Sequence, residues 1–353
     1  MARVSGSAAD AASTPARERC VTSYPVRRGY HPGPLYPPEV SRLAGVVDIH
    51  AHAHPGQQDA FATATFASRS GMRGILFKTI VGKPDAVGAV RDVQERLNRW
   101  AEAEGVTPIV CWSGHILGAR GAAVTGAEAR RALDSGITAI WLPVFNHANT
   151  LNTVGGKPMW WDPSADPDEH TAPLTWEESR EHGHFLLDEG GKLLDEVREI
   201  VRVCADRDAP LFFGHATHAE LFALAEEAGR LGFKRAVIDH PYSPFIDLSI
   251  DEMRQVAACG VTLNFTYDEL SPLLGIDPAQ MCAAIKAVGA EHCTISSDVG
   301  EPLFPNTVEA MRQICAYMEA FGLTPDELWL VSRENPARLM GLESAVDRSC
   351  VSS

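Results

Sequence analysis

The stretch Val46-Val47-Asp48-Ile49-His50-Ala51-His52 constrains the fold of this chain more than any other, because an apolar, β-branched run ends by presenting two histidines two residues apart. Side chains at i and i+2 of a strand point to one face, so a strand here sets the imidazoles of His50 and His52 side by side. Two converging imidazoles make half of a divalent-metal site. The fold therefore has to bring further ligands to the end of this strand.

Seven more β-branched or apolar runs follow: GILFKTI from Gly74, TPIVCW from Thr107, ITAIWLPV from Ile137, APLFFGH from Ala209, RAVIDH from Arg235, VTLNFTY from Val261 and CTISSD from Cys293. Between them lie amphipathic stretches, such as DAVGAVRDVQERLNRWAEAEG and HAELFALAEEAGRLGF, in which glycine often marks a helix end. Strict alternation of strand and helix implies a parallel sheet. Eight such units within 353 residues favour a closed α/β architecture, the (β/α)8 TIM barrel.

The barrel is expected over residues 45–345, after a flexible, partly disordered N-terminal extension at 1–44 and before a C-terminal tail at 346–353. Thr324-Pro325-Asp326-Glu327 reads as a helix start with proline at the first position. One connection, 146–189, is abnormally long and contains Gly155-Gly156, Trp160-Trp161 and Asp162-Pro163. A loop leaving the C-terminal end of strand 4 lies on the mouth of the barrel, so this insertion is expected to act as a lid or substrate-binding segment. Trp160, Trp161 and Trp176 within it either stack on a cyclic substrate or pin the loop to the barrel.

A content of 45% hydrophobic residues argues against a disordered chain, and a net charge of −15 spread along the chain argues against a polyanionic partner. Nucleic acid is therefore not an expected ligand. The eight cysteines include no CxxC pair and sit mostly in apolar segments, which reads as reduced thiols in a cytoplasmic protein. No apolar stretch approaches the roughly 18 residues of a membrane helix, and the first residues lack the apolar core of a signal peptide. The expected partner is a small-molecule substrate, with no membrane involved; self-association into a homo-oligomer is left open.

In a barrel the C-terminal ends of the strands converge on one mouth. The first strand delivers His50 and His52 there, the fifth His215, the sixth His240 and the eighth Asp298. Imidazole and carboxylate ligands suit zinc, manganese or ferrous iron. Any one of these residues alone reads equally well as a structural or surface group; five of them at the ends of four strands do not. Lys78, at the end of the second strand, is costly among apolar residues unless it is paired, modified or facing the mouth. Pairing with Asp48, or reaching the barrel rim, would make it purely structural.

His54, followed by Pro55-Gly56, is expected at the pocket wall, and His218 at a helix start capped by Thr217. His115 and His147, after strands three and four, either face the substrate or belong to solvated loop. Asp239 is expected to point away from the face that His240 occupies. That leaves Asp298 as the one acid at a pocket-facing strand end and argues against the paired carboxylates of glycosidases. No Gly-x-Gly-x-x-Gly, P-loop or Gly-x-Ser-x-Gly motif follows a strand, so dinucleotide, nucleotide and serine-hydrolase chemistries have no support.

With DIHAH on the first strand, FFGHAT on the fifth, VIDHP on the sixth, ISSDVG on the eighth and ENPARLMGL near the end, the chain resembles the amidohydrolase superfamily over about Gly45 to Glu343. The DIHAHAHPG start, the FKTI second strand and the GEP after Asp298 look most like an uncharacterised branch of metal-dependent TIM-barrel hydrolases. The resemblance implies that His50, His52, His215 and Asp298 bind metal, and that His240 either binds a second metal or acts catalytically. The fourth strand, AIWLPVF, departs from the pattern because it lacks the carboxylated lysine or glutamate that bridges two metals in binuclear members. Lys78 is the substitute, either carboxylated and bridging, or an ammonium that binds a substrate carboxylate.

The implied cofactor is a divalent metal, zinc first with manganese or iron as alternatives, in one or two ions. The implied reaction is hydrolysis of an amide, imide, lactone or related ester in a small molecule. Asp298 would serve as base toward an activated water, and His240 as second-metal ligand or as donor to the carbonyl oxygen. The alternative on the same barrel is metal-dependent non-oxidative decarboxylation or another lyase reaction. A barrel whose site has become a binding module is the non-enzymatic alternative.

Overall fold

The structure, a computed structural model, is described for residues 43–155, 172–300 and 302–342. Its eight strands are β1 (Val47–Ala53), β2 (Gly74–Ile80), β3 (Val110–Ile116), β4 (Ala139–Trp141), β5 (Leu211–Phe212), β6 (Ala236–Asp239), β7 (Thr262–Thr266) and β8 (Cys293–Ser296). They pair in parallel in the order β1 to β8, with helices between successive strands. The N–H groups of His52 and Asp298 donate to Val299 O at 2.9 Å and His50 O at 2.8 Å, joining the end of the last strand to the first. The chain is a (β/α)8 barrel, as the alternation predicts.

Alternation across the wall sorts the side chains. Ile75, Phe77, Ile140, Phe213, Ile238, Leu263, Phe265 and Ile295 join the helices in the large outer core. Leu76, Ala139, Trp141, Phe212 and Val237 form a separate interior cluster, in which the Trp141 and Phe212 rings stack at 4.1 Å. β1 breaks the even alternation, since its register against β2 shifts between Asp48 and Ala51. Val47 and Ile49 can thus belong to the interior cluster while the His50 ring, past the shift, lies 5.6 Å from Trp141 inside the same barrel.

Ala337, Leu339 and Met340 add to this interior cluster from the short helix Asn335–Leu339. Asn335 Nδ2 donates to Ala290 O and Cys293 O at 2.8 and 2.7 Å, which satisfies backbone carbonyls where β8 begins. The ENPARLMGL segment therefore closes the fold and lies away from the strand ends that carry the histidines. Thr324 caps the helix Pro325–Trp329 reciprocally with Glu327, at the helix start that the sequence predicts.

The long connection after β4 is not irregular throughout. It contains the helices Ala148–Val154 and Trp176–His182, the second opened by a Thr175/Glu178 capping box. Residues 156–171, with Trp160 and Trp161, lie outside the described residues, as do 1–42 and 343–353. Trp176, at the start of the second helix, is 46% exposed. Among the described residues no helix is long and apolar enough to cross a membrane.

Candidate metal centre

β1 brings the His50 and His52 rings within 5.4 Å of one another, and both Nε2 atoms reach Asp298 Oδ1 from the end of β8, at 3.0 and 3.1 Å. These three ligand atoms form the one tight His/Asp cluster among the described residues. His240 Nε2 lies 3.9 Å from the other Asp298 oxygen, and its ring is 5.0 Å from that of His215, edge to face. Lys78 is 5% exposed, with Nζ 5.6 Å from the Trp141 ring. The structure thus brings His50, His52, His215, His240 and Asp298 to one end of the barrel, with Lys78 beside them over the Trp141 ring.

Each histidine is oriented from behind. Nδ1 of His52 meets Thr79 Oγ1 at 2.7 Å, Nδ1 of His215 meets Thr150 Oγ1 at 3.0 Å, and Nδ1 of His240 meets Ser243 Oγ at 2.6 Å. Nδ1 of His50 faces Asp239 Oδ1 at 3.1 Å. At His240 the tautomer follows from the network: the Ser243 hydroxyl donates its proton to His240 O at 2.5 Å, so its lone pairs accept Nδ1–H. An Nδ1–H donated to a protein oxygen leaves Nε2 its lone pair, the arrangement of a metal-ligating imidazole.

Asp239 corrects the expectation that it points away from the site. Its Oδ1 faces His50 and accepts from Asn264 Nδ2 at 2.8 Å, and its Oδ2 accepts from Trp141 Nε1 at 2.8 Å. With Val237 inside and Ile238 outside, the alternation of β6 itself turns Asp239 inward, and His240 is the residue that departs from it: its φ of +36° lets two consecutive residues meet the same His50 ring. Asp298, with φ +46°, is likewise left-handed. Gly214 permits the approach of β5 to β6, because a Cβ there would lie 2.7 Å from Asp239 Cβ and 2.9 Å from His240 Cε1.

The electrostatics follow from burial and pairing. Burial depresses His50, but the Asp239 and Asp298 carboxylates outweigh it and hold this imidazole up at about 9. Burial takes His240 down to about 4 against the pull of Asp298 and Asp239, and holds His215 well below its ordinary value, with His240 and Lys78 adding to the fall. Asp298 would be raised by burial, yet the His50 ring beside it and the hydrogen bond with His52 hold it well below the usual carboxylate range. A second acid is felt here too: burial and the Asp298 charge hold Asp268, just past β7, well above its ordinary value.

The donor set fits a divalent cation. His50 Nδ1 and Nε2 are both buried without a well-directed hydrogen bond, although carboxylate oxygens stand at 3.1 and 3.0 Å. Orphaned ring nitrogens of this kind are costly unless an ion takes the lone pair. Asp298 Oδ1 lies 3.0 and 3.1 Å from the two Nε2 atoms, and the three ligand atoms stand close enough together to hold one ion.

The remaining candidates lie elsewhere. His54 Nδ1 accepts from Gly56 N in a turn, and His218 opens the helix His218–Leu231, with Nδ1 2.9 Å from Glu252. His115 belongs to β3 itself, aligned with outward-packed Ile140, and pairs with Glu128 at 3.0 Å. His147 is fully buried, caps the helix Ala148–Val154 and faces Glu220 at 3.3 Å, so it is not solvated loop. Asp48 accepts from Ser297 Oγ at 2.5 Å and from His50 N, and it does not pair with Lys78. Thr79, Thr150, Ser243, Asn149 and Trp141 were not singled out by sequence reasoning. Asn149 Nδ2 bonds His215 O, Ala216 O and Phe245 O, tying the helix after β4 to the segment that carries His215.

A model for a family of unknown function, DUF6282, matches residues 45–264, which include every histidine of the centre and Lys78 but not Asp298. No curated protein matches the sequence. Among solved structures, an apo protein of Agrobacterium tumefaciens is 12% identical with a TM-score of 0.50, over 89% of this chain and 99% of that one. The metallopeptidase dipeptidase AC is 15% identical with a TM-score of 0.49, over 84% and 98%. A variant of organophosphorus hydrolase from Deinococcus radiodurans is 19% identical with a TM-score of 0.46, over 85% and 94%. The likeness to the first is one of fold alone.

Proposed function

The chain belongs to the DUF6282 family of unknown function, and we propose that it is a metal-dependent hydrolase that cleaves an amide, imide, lactone or related ester bond in a small molecule. The observation that carries this reading is the set of four histidines held from behind at Nδ1 beside the buried carboxylate of Asp298. His50, His52 and Asp298 would hold the ion, with His215 and His240 completing the site or holding a second one. The imidazole and carboxylate donors favour zinc. When bound, such an ion supplies Lewis acidity and lowers the pKa of water.

The residues divide the remaining work. Asp298 Oδ2, the oxygen turned to His240, takes the proton of the attacking water and returns it to the leaving group. His240, held in its Nδ1–H tautomer by Ser243 and kept neutral by burial, presents its Nε2 lone pair to the site, which suits it to hold a cation and not to donate to the carbonyl oxygen. A cytoplasmic location is part of the proposal and is supported by the six described cysteines, all unpaired. Turnover of a lactone, amide and ester panel in 18O-labelled water tests the reaction. One 18O incorporated per bond cleaved, lost on chelation and restored by zinc, is the expected result. Carbon dioxide release without 18O incorporation would contradict it and favour the lyase chemistry.

A further inference from the structure

Lys78 is a buried residue whose ammonium makes no direct ion pair among the described residues. The residue is 5% exposed, among the described residues no hydrogen bond or ion pair reaches its Nζ, and the Nζ stands 5.6 Å from the centre of the Trp141 ring. Every acid around it is otherwise engaged. Asp239 takes Trp141 Nε1 and Asn264 Nδ2, Asp48 takes Ser297 and His50 N, and Asp298 takes the two β1 histidines. Asp239 and Asp298 offset its charge only from a distance, so its N–H donors are left free for an anion that arrives through the mouth of the barrel.

The geometry points to that anion's place. Lys78 follows Leu76 in the inward phase of β2, two residues nearer the mouth, and its charge bears on His50, His215, His240, Asp239 and Asp298 alike. The platform beneath it is built closely: a Cβ on Gly114 would lie 2.6 Å from the Trp141 ring and 3.0 Å from Lys78 Cα. The indole is fixed at its other edge by Asp239, so the ammonium is held over a rigid aromatic face with its N–H donors left unused. We propose that Lys78 binds a carboxylate group of the substrate, so that the molecule cleaved is an anionic amide, lactone or ester carrying a carboxylate next to the bond at the metal centre. This rests on the hydrolase reading for the bond, but the carboxylate site is testable without turnover.

The probes are glutarate and its neutral isostere glutaramide, titrated by calorimetry into the metal-replete full chain and into its Lys78→Met and Lys78→Arg variants, with metal content measured on each. Wild type should bind glutarate at least about tenfold more tightly than glutaramide, as a charge-assisted contact implies. Lys78→Met should lose about tenfold or more in glutarate affinity, keep its glutaramide affinity and metal content, and melt no lower than wild type; Lys78→Arg should recover part of the loss. Equal glutarate affinity in wild type and Lys78→Met, or no glutarate binding to wild type, would overturn the assignment. Loss of metal from Lys78→Met would also overturn it, making Lys78 a ligand and leaving the hydrolase reading intact. A wild type that holds no metal yet binds glutarate through Lys78 would sink the hydrolase reading and keep this one.

Discussion

Asp239→Asn should weaken metal binding without touching a proposed ligand. The carboxylate offers Oδ1 to His50 Nδ1 at 3.1 Å and to Asn264 Nδ2 at 2.8 Å, and Oδ2 to Trp141 Nε1 at 2.8 Å. An asparagine has a single acceptor oxygen. With that oxygen toward Trp141, its amide N–H groups confront His50 and Asn264; with it toward His50, they confront the indole N–H. Either way a fully buried donor loses its acceptor, which costs about 1–3 kcal/mol. Loss of the negative charge also frees His50 to change tautomer, and removal of such a supporting carboxylate typically lowers metal affinity by about 10–100-fold. Competition against a chromogenic chelator measures the affinity, and urea denaturation of the chelated proteins measures the stability cost separately. A variant whose zinc affinity stays within about twofold of wild type would refute the claim that Asp239 orients His50 for a metal.

Three further outcomes follow from the geometry. Asp298→Asn should keep most of its metal through the histidines while turnover falls by at least about 100-fold, and near-normal turnover would remove Asp298 as the base. Gly300→Ala would put a Cβ 2.5 Å from His52 Cβ and 2.6 Å from His52 O, so it should displace His52 and weaken metal binding, seen as a faster loss of zinc to chelator; unchanged retention would mean that the segment after β8 yields freely. Burial pushes Glu269 up to about 8, against the hydrogen bonds from Thr266 and Tyr242. Between pH 4.5 and 8 the folded chain therefore keeps a proton that the unfolded chain has lost, and stability from this group falls as pH rises, by up to about 1.4 kcal/mol per unit. Denaturation of chelated Glu269→Gln should lack that slope, and parallel curves for variant and wild type would refute it.

The legible part of this protein was what local pattern carries. β-branched runs and the helices between them announce a parallel barrel, and the phase of a strand places His50 beside His52 before any coordinates are seen. Gly214, directly before His215, carries in the sequence no mark of the Asp239 and His240 atoms that leave no room for a Cβ there. Asp239 is misread from sequence because the phase is counted back from His240, which leaves the alternation of β6 with a left-handed backbone, whereas Val237, Ile238 and Asp239 keep it. Thr79, Thr150 and Ser243 look like ordinary polar residues in sequence, and only tertiary folding sets them against imidazole Nδ1 atoms. The helix Ala148–Val154 escaped notice because it is a short seven-residue element inside a glycine- and proline-rich connection. Its role, tying the β4 connection to His215, rests on Asn149 and Thr150 contacts that no periodicity reveals.

The central claim is that His50, His52 and Asp298 form a metal centre. Its most direct test is metal content per chain by mass spectrometry on zinc-replenished, desalted protein, comparing wild type with a folded His52→Gln, Asp298→Asn double variant. At least one tightly held divalent ion per wild-type chain, lost from the variant, is the expected result. Wild type that retains no divalent metal, or a double variant that retains as much as wild type, would contradict it.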